Sequence, residues 1–159
     1  MIEQICFNEI LLDSAKEVFE TMIFMDVEEY NDADQSIEGE SILGSITFKG
    51  DINGCMVVCC NQLCAKIIAA NMLGMDPEDT IKKEDIYDAI GEVSNMVMGS
   101  IKARIHNYSD NINVSIPMVI NGKEIETNLG EGTAEKASIK VMIDSEYIAE
   151  FYLLYKGDF

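Results

Sequence analysis

Asp88-Ala89-Ile90-Gly91-Glu92-Val93-Ser94-Asn95-Met96-Val97-Met98-Gly99 stands at the middle of the longest periodic segment of the chain, Lys83 to His106. At about 100° per residue, Ile86, Ile90, Val93, Val97 and Ile101 fall within about 40° of one direction, the apolar face of a long amphipathic helix. Asp88, Glu92, Asn95, Gly99 and Lys102 share the opposite side as one polar stripe, bordered by Gly91. Such a helix is stable only when its apolar face lies on another layer, so the flanking segments decide the fold.

Ahead of it, Leu11, Ala15, Val18, Met22 and Met25 have helical spacing and predict a first helix over Asn8 to Met25. Ser41 to Lys49 alternates, Gly50-Asp51-Ile52-Asn53-Gly54 turns the chain, and Cys55 to Cys60 returns it as a hairpin. A shorter helix is expected from Gln62 to Leu73, stopping at Gly74, and Asp76-Pro77-Glu78-Asp79 opens a further helical turn. Beyond the long helix come strand-like runs at Asn113 to Ile120, Glu124 to Asn128, Ala137 to Ile143 and Tyr147 to Tyr155. The stretch Asp26 to Glu40 is dense in acid, has no period and reads as a solvated connection without calcium-loop spacing.

Helix and strands, then helix and strands again, predict an α+β fold with long helices on a mostly antiparallel sheet. Ser45-Ile46-Thr47-Phe48 and Ser138-Ile139-Lys140-Val141 each precede a turn and a returning strand. A pseudo-symmetric duplication is therefore expected within one domain, residues 1–159, its halves spanning about 1–75 and 76–159.

Eleven Lys and Arg stand against 29 Asp and Glu, a net charge of −18 over 159 residues. That balance excludes nucleic acid and anionic membrane surfaces as partners, since both need facing cations. The longest apolar run, Cys55 to Cys60, falls far short of the roughly 20 residues of a membrane-spanning helix. Glu3, Glu9 and Asp13 interrupt the N-terminus where a secretory signal would be apolar. Five Cys, an odd number with four crowded into residues 55–64, fit a reducing cytoplasm better than a disulfide framework. On a strand Cys55 and Cys59 stand about 13 Å apart, too far to share a zinc ion, and no metal site is expected.

Chemistry must therefore come from the polar stripe. Each interior Gly costs a helix roughly 1 kcal/mol relative to Ala. Gly91 and Gly99 would let a second macromolecule approach the backbone, with Glu92 and Asn95 projecting between them; packing within the chain, or a solvated face, are the alternatives. His106 lies about 21 Å along the axis from Glu92, out of reach for a general acid–base pair. No nucleophilic triad, phosphate loop or zinc-ligand spacing occurs elsewhere, which leaves a carboxylate and a carboxamide.

Asp88, three residues, Glu92, two residues, Asn95, and then Pro117 in Ser115-Ile116-Pro117 resemble the pattern of the CheX, CheC and FliY family of chemotaxis phosphatases. The resemblance extends through the helix-plus-hairpin order over nearly the whole chain. It implies a CheC-like fold and hydrolysis of the aspartyl phosphate of a CheY-like receiver domain. It assigns Asn95 to positioning the attacking water and Glu92 to pairing with the receiver's lysine. Gly91, Gly99 and Lys102 along the stripe become partner-contacting positions, and Asp88 contacts the partner, supports the helix or is simply solvated. The receiver supplies the Mg²⁺ and the phosphoryl group, and the chain is expected to have no cofactor of its own.

The residue chemistry suits those roles. Phosphoryl transfer asks a protein mainly for positioning and charge stabilisation. A neutral carboxamide, both donor and acceptor, can hold water beside an anionic phosphate. On the first helix Asp13, Glu17 and Glu20 repeat the spacing with Glu20 in place of Asn and Phe24 in place of Gly. It reads as a disabled copy, leaving one active site, as in the CheX branch, which also implies a homodimer. Two other readings stay open: a receiver-binding module that does not hydrolyse, and an assembly part like the middle domain of flagellar switch proteins.

Overall fold

The protein is described from a computed structural model covering residues 5–31, 37, 40–122 and 134–157. Helix α1 (Phe7–Val18) runs on into a π-helical turn, Phe19–Ile23; α2 spans Gln62–Leu73 and α3 spans Lys83–Arg104. The strands are β1 (Val27–Glu29), β2 (Ser41–Gly50), β3 (Ile52–Asn61), β4 (Ile112–Val114), β5 (Met118–Asn121), β6 (Glu135–Ile143) and β7 (Tyr147–Gly157). They form one antiparallel sheet in the order β1-β6-β7-β3-β2-β4, with β5 also on β2. Helices packed on such a sheet make the α+β fold that the sequence predicts.

Exchanging β1 with β4, β2 with β6 and β3 with β7 maps the strand order onto itself. The helices follow the exchange on the inner strands, α1 packing on β6 and β7 and α3 on β2 and β3, while β1 under α1 is matched by β5 rather than β4 under α3. The two similar tetrapeptides fall on β2 and β6, strands that the exchange relates.

The main core lies between the helices and one sheet face. On β6 and β7 strict alternation buries Ala137, Ile139, Val141, Ile143, Ala149, Phe151 and Leu153, the half-buried pattern of antiparallel strands. The central pair β2 and β3 is buried on both faces: Leu43, Cys55, Val57 and Cys59 make a second cluster under Ile37, Ile120 and Tyr152.

Several local expectations change. The acidic connection contains β1, which pairs with β6 and buries only Val27; a three-residue edge strand with one inward side chain leaves no period to read. Asn53-Gly54 lies inside β3, opposite Phe48 and Tyr155, and the hairpin turns more tightly at Asp51. A Cβ on Gly54 would meet the Leu154 carbonyl oxygen at 2.2 Å and the Phe48 ring at 2.5 Å, so close packing requires the glycine. Residues Asp76 to Asp79 form a turn held by Asp76 and Asp79 side chains rather than a helical start. The strand-like run Tyr147 to Tyr155 falls within β7, an inner strand paired on both sides, as its place in the sheet requires. The run Glu124 to Asn128 lies outside the described residues. Among those described, no helix is long and apolar enough to cross a membrane.

Candidate functional site

Helix α3 carries the motif through 22 residues of regular α-helix. Glu84 and Asp85 occupy its first turn and Lys102 and Arg104 its last, complementing the helix dipole. Ile90, Val93, Val97 and Ile101 are buried, with Ala89, Ser94 and Met98 beside them, while Ile86 is only half-buried. At about 1.5–3 kcal/mol per fully buried aliphatic side chain, this face fixes the rotation of the helix about its axis. The same rotation turns Asp88, Glu92 and Asn95 to solvent, and all three are exposed.

Close contact with the sheet depends on Gly44 of β2. A Cβ there would lie 2.6 Å from Ser94 Oγ and 2.8 Å from Ile90 Cγ2. Ser94 donates its hydroxyl to the Ile90 carbonyl at 3.0 Å, so the buried serine is satisfied within its own helix.

The facing wall is the broken edge β4–β5, where the sequence predicts one strand. Phe48 pairs with Val114 and Ser45 with Met118, so Ser115, Ile116 and Pro117 stand opposite only Ile46 and Thr47. One extra residue makes a β-bulge, a usual place for a proline that cannot donate to a ladder. Ser115 ties the bulge down: its N–H donates to the Thr47 carbonyl at 2.9 Å, and its Oγ accepts from Thr47 N–H at 3.1 Å and bonds Thr47 Oγ1 at 2.8 Å. Pro117 is thereby brought against α3. A Cβ on Gly91 would sit 3.7 Å from Pro117 Cγ and 3.5 Å from Val119 Cγ2.

Between the two walls lies an open groove of ≈ 510 Å³. Asp88, Glu92 and Asn95 line one side, Ile116, Pro117 and Val119 the other, with Gly91 at the floor and Tyr87 at one end. Its ionisable groups beyond that tyrosine are two carboxylates. No hydrogen bond or ion pair within the chain engages Asp88, Glu92 or Asn95 among the described residues. The groove can therefore offer a carboxylate to an incoming cation and a carboxamide to water or an anion.

The predicted residues divide. Asp88, Gly91, Glu92 and Asn95 meet at the groove, together with the motif proline. Gly91 is buried, yet an added Cβ would meet Val119 and Pro117 only at ordinary contact distances, so packing within the chain does not by itself demand a glycine there. Gly99 is exposed, with nothing within 4 Å of where its Cβ would be, and Gly99 and Lys102 lie on later turns, outside the groove lining. His106 is exposed beyond the helix end. Sequence reasoning missed Tyr87, Ile116 and Val119 as lining residues. The signal for Ile116 was present in its place beside the motif proline.

The first-helix copy is built differently. Glu17 is ion-paired with Arg104 and accepts from Ser100 Oγ at 3.2 Å, both from α3. Regular helix ends at Val18, and the π-turn carries the chain to Phe24, whose backbone is left-handed at φ 63°. Glu20 and Phe24 are exposed, but the change of helical pitch takes Phe24 off the position that Gly99 holds in the regular α3.

The buried thiols are poorly suited to nucleophilic work. Burial pushes the Cys59 thiol up. Cys60 is pushed well up by its hydrogen bond with Cys64, and by burial.

Fold and site together define an α+β domain that presents a carboxylate and a carboxamide on the outer face of one helix. The chain belongs to the chemotaxis phosphatase CheX family, which matches residues 42–141, more than half of its length. Among solved structures it is similar to the chemotaxis protein CheX from Vibrio vulnificus, at 22% identity and TM-score 0.73 over 94% of this chain and 99% of that one. The chemotaxis protein CheX from Desulfovibrio desulfuricans gives 19% and 0.70 over 92% and 97%. The CheX–CheY–BeF3–Mg complex from Borrelia burgdorferi gives 18% and 0.67 over 96% and 99%. At these identities the structures establish the shared fold. No curated protein matches the chain by sequence.

Proposed function

We propose that this chain dephosphorylates the aspartyl phosphate of a CheY-type receiver domain, with α3 as the inserted element. The observation that carries the proposal is the pairing of an exposed Glu92 and Asn95, unengaged within the chain, on a helix face otherwise fixed by its buried side. Family membership supports the reaction class, and the Borrelia CheX–CheY complex supports a receiver as the partner.

In the proposed reaction the Asn95 carboxamide holds a water in line with the phosphorus. Water adds, the bond from phosphorus to the aspartyl oxygen breaks, and the water's proton leaves with inorganic phosphate. Asn95 is neutral, so it approaches the anion without repulsion. Glu92, about one helical turn away, pairs with the receiver's lysine and sets the angle of approach. Mg²⁺ comes with the receiver. The resemblance also leads us to propose that the chain acts in the cytoplasm as a single-domain homodimer, which its size in solution will test.

The test is the decay of a CheY-type receiver phosphorylated with acetyl phosphate, followed with and without this protein. A saturable acceleration that chelation of Mg²⁺ abolishes is expected. Saturable binding of the phosphorylated receiver without any acceleration would instead support a non-catalytic receiver-binding module.

A further inference from the structure

Ile116 is 88% exposed, more than any other large hydrophobic side chain among the described residues. It stands at the tip of the bulge, between a serine bonded three times to Thr47 and a proline packed against Gly91. A β-branched side chain is stiff at χ1, and the segment carrying it is tied at both ends. A rigid apolar tip loses little entropy on binding, which is what a docking anchor requires. The bulge interrupts the ladder with β2 at this residue, and its side chain lines the groove.

Resting on the phosphatase reading, we propose that Ile116 is the apolar anchor by which the receiver docks, seated in an apolar depression beside the receiver's lysine. The occupant is set by continuity: Ile116 lines the same groove as Glu92 and Asn95, so whatever engages those side chains meets its tip. Charge fits as well, because Asp88 and Glu92 across the groove favour a partner that brings a cation. The anchor supplies affinity and register, while Asn95 supplies the chemistry.

The two roles separate in the kinetics. Ile116→Asp is expected to raise the receiver concentration giving half-maximal acceleration by roughly 10-fold or more, the effect of losing an interface hot spot, with the plateau rate kept. Met22→Asp changes another exposed apolar residue, away from the groove (59% exposed), and should alter neither quantity. An unchanged half-saturation in Ile116→Asp, or a fall confined to its plateau rate, overturns the anchor. Calorimetric titration of the receiver loaded with beryllofluoride and Mg²⁺ keeps the question open to test if hydrolysis is absent: weaker binding by Ile116→Asp supports the anchor, and equal binding overturns it. Failure of the unaltered protein both to bind and to accelerate overturns the phosphatase reading and the anchor with it. Unchanged thermal melting of Ile116→Asp confirms that the variant is folded.

Discussion

Two helical segments of this protein carry the same spacing, Asp13 and Glu17 on α1 with Glu20 in the π-turn that follows it, and Asp88, Glu92 and Asn95 on α3, yet they are built differently. α3 stays regular through its motif, lies close on the sheet over Gly44, and faces a bulged strand edge that completes a groove. α1 changes pitch at Phe19, ends in a left-handed Phe24, and commits Glu17 to Arg104 and Ser100 of α3. Spacing alone does not make a site. A regular helix, a facing wall and side chains free of internal partners do.

The largest effect bears on whether one residue could restore the α1 copy. If only the Glu-for-Asn difference disabled it, Glu20→Asn would rescue an Asn95→Ala protein. The double variant is expected to stay about 10²–10³-fold below the original protein in receiver dephosphorylation, the loss typical of removing one transition-state hydrogen-bonding group. Gly44→Ala tests the seat of α3. Its Cβ would press on Ser94 and Ile90, so a loss of about 1–3 kcal/mol is expected in denaturant unfolding.

A smaller effect belongs to the α1–α3 ion pair. Glu17→Ala removes a partly exposed bridge and should lower stability by under about 1 kcal/mol, measurable against Arg104→Ala in a double-mutant cycle. The smallest is a pH slope. In the unfolded chain the Cys59 and Cys60 thiols lose their protons near pH 8.5, whereas the folded protein holds them to higher pH. Their contribution is complete below about pH 8.5 and is lost as pH rises through the raised folded values. The urea midpoint should therefore fall between pH 8 and about 10, less steeply in Cys60→Ala.

Much of this was legible because α3 obeys one period: Ile90, Val93, Val97 and Ile101 point inward as their spacing requires, and Glu92 and Asn95 necessarily point out. The sheet's outer strands were legible for the same reason, through alternation in β6 and β7. What escaped reading had no period. β1 is three residues with one buried side chain, and the π-turn at Phe19–Ile23 follows apolar spacing that an ordinary helix would also produce. The bulge at Ser115–Pro117 is set by pairing with Thr47, a residue 68 positions away. Gly91 lies at the floor of the groove beside Pro117 and Val119, a placement that only the tertiary contact makes.

The proposed function has α3, and not α1, act on the receiver. Its most direct test is the decay rate of a phosphorylated CheY-type receiver at saturating levels of the original protein, of Asn95→Ala, and of Glu17→Ala combined with Glu20→Ala. Near-complete loss of acceleration is expected in the first variant and full acceleration in the second. Acceleration that survives Asn95→Ala, or collapses with the α1 pair in a folded protein, would contradict it.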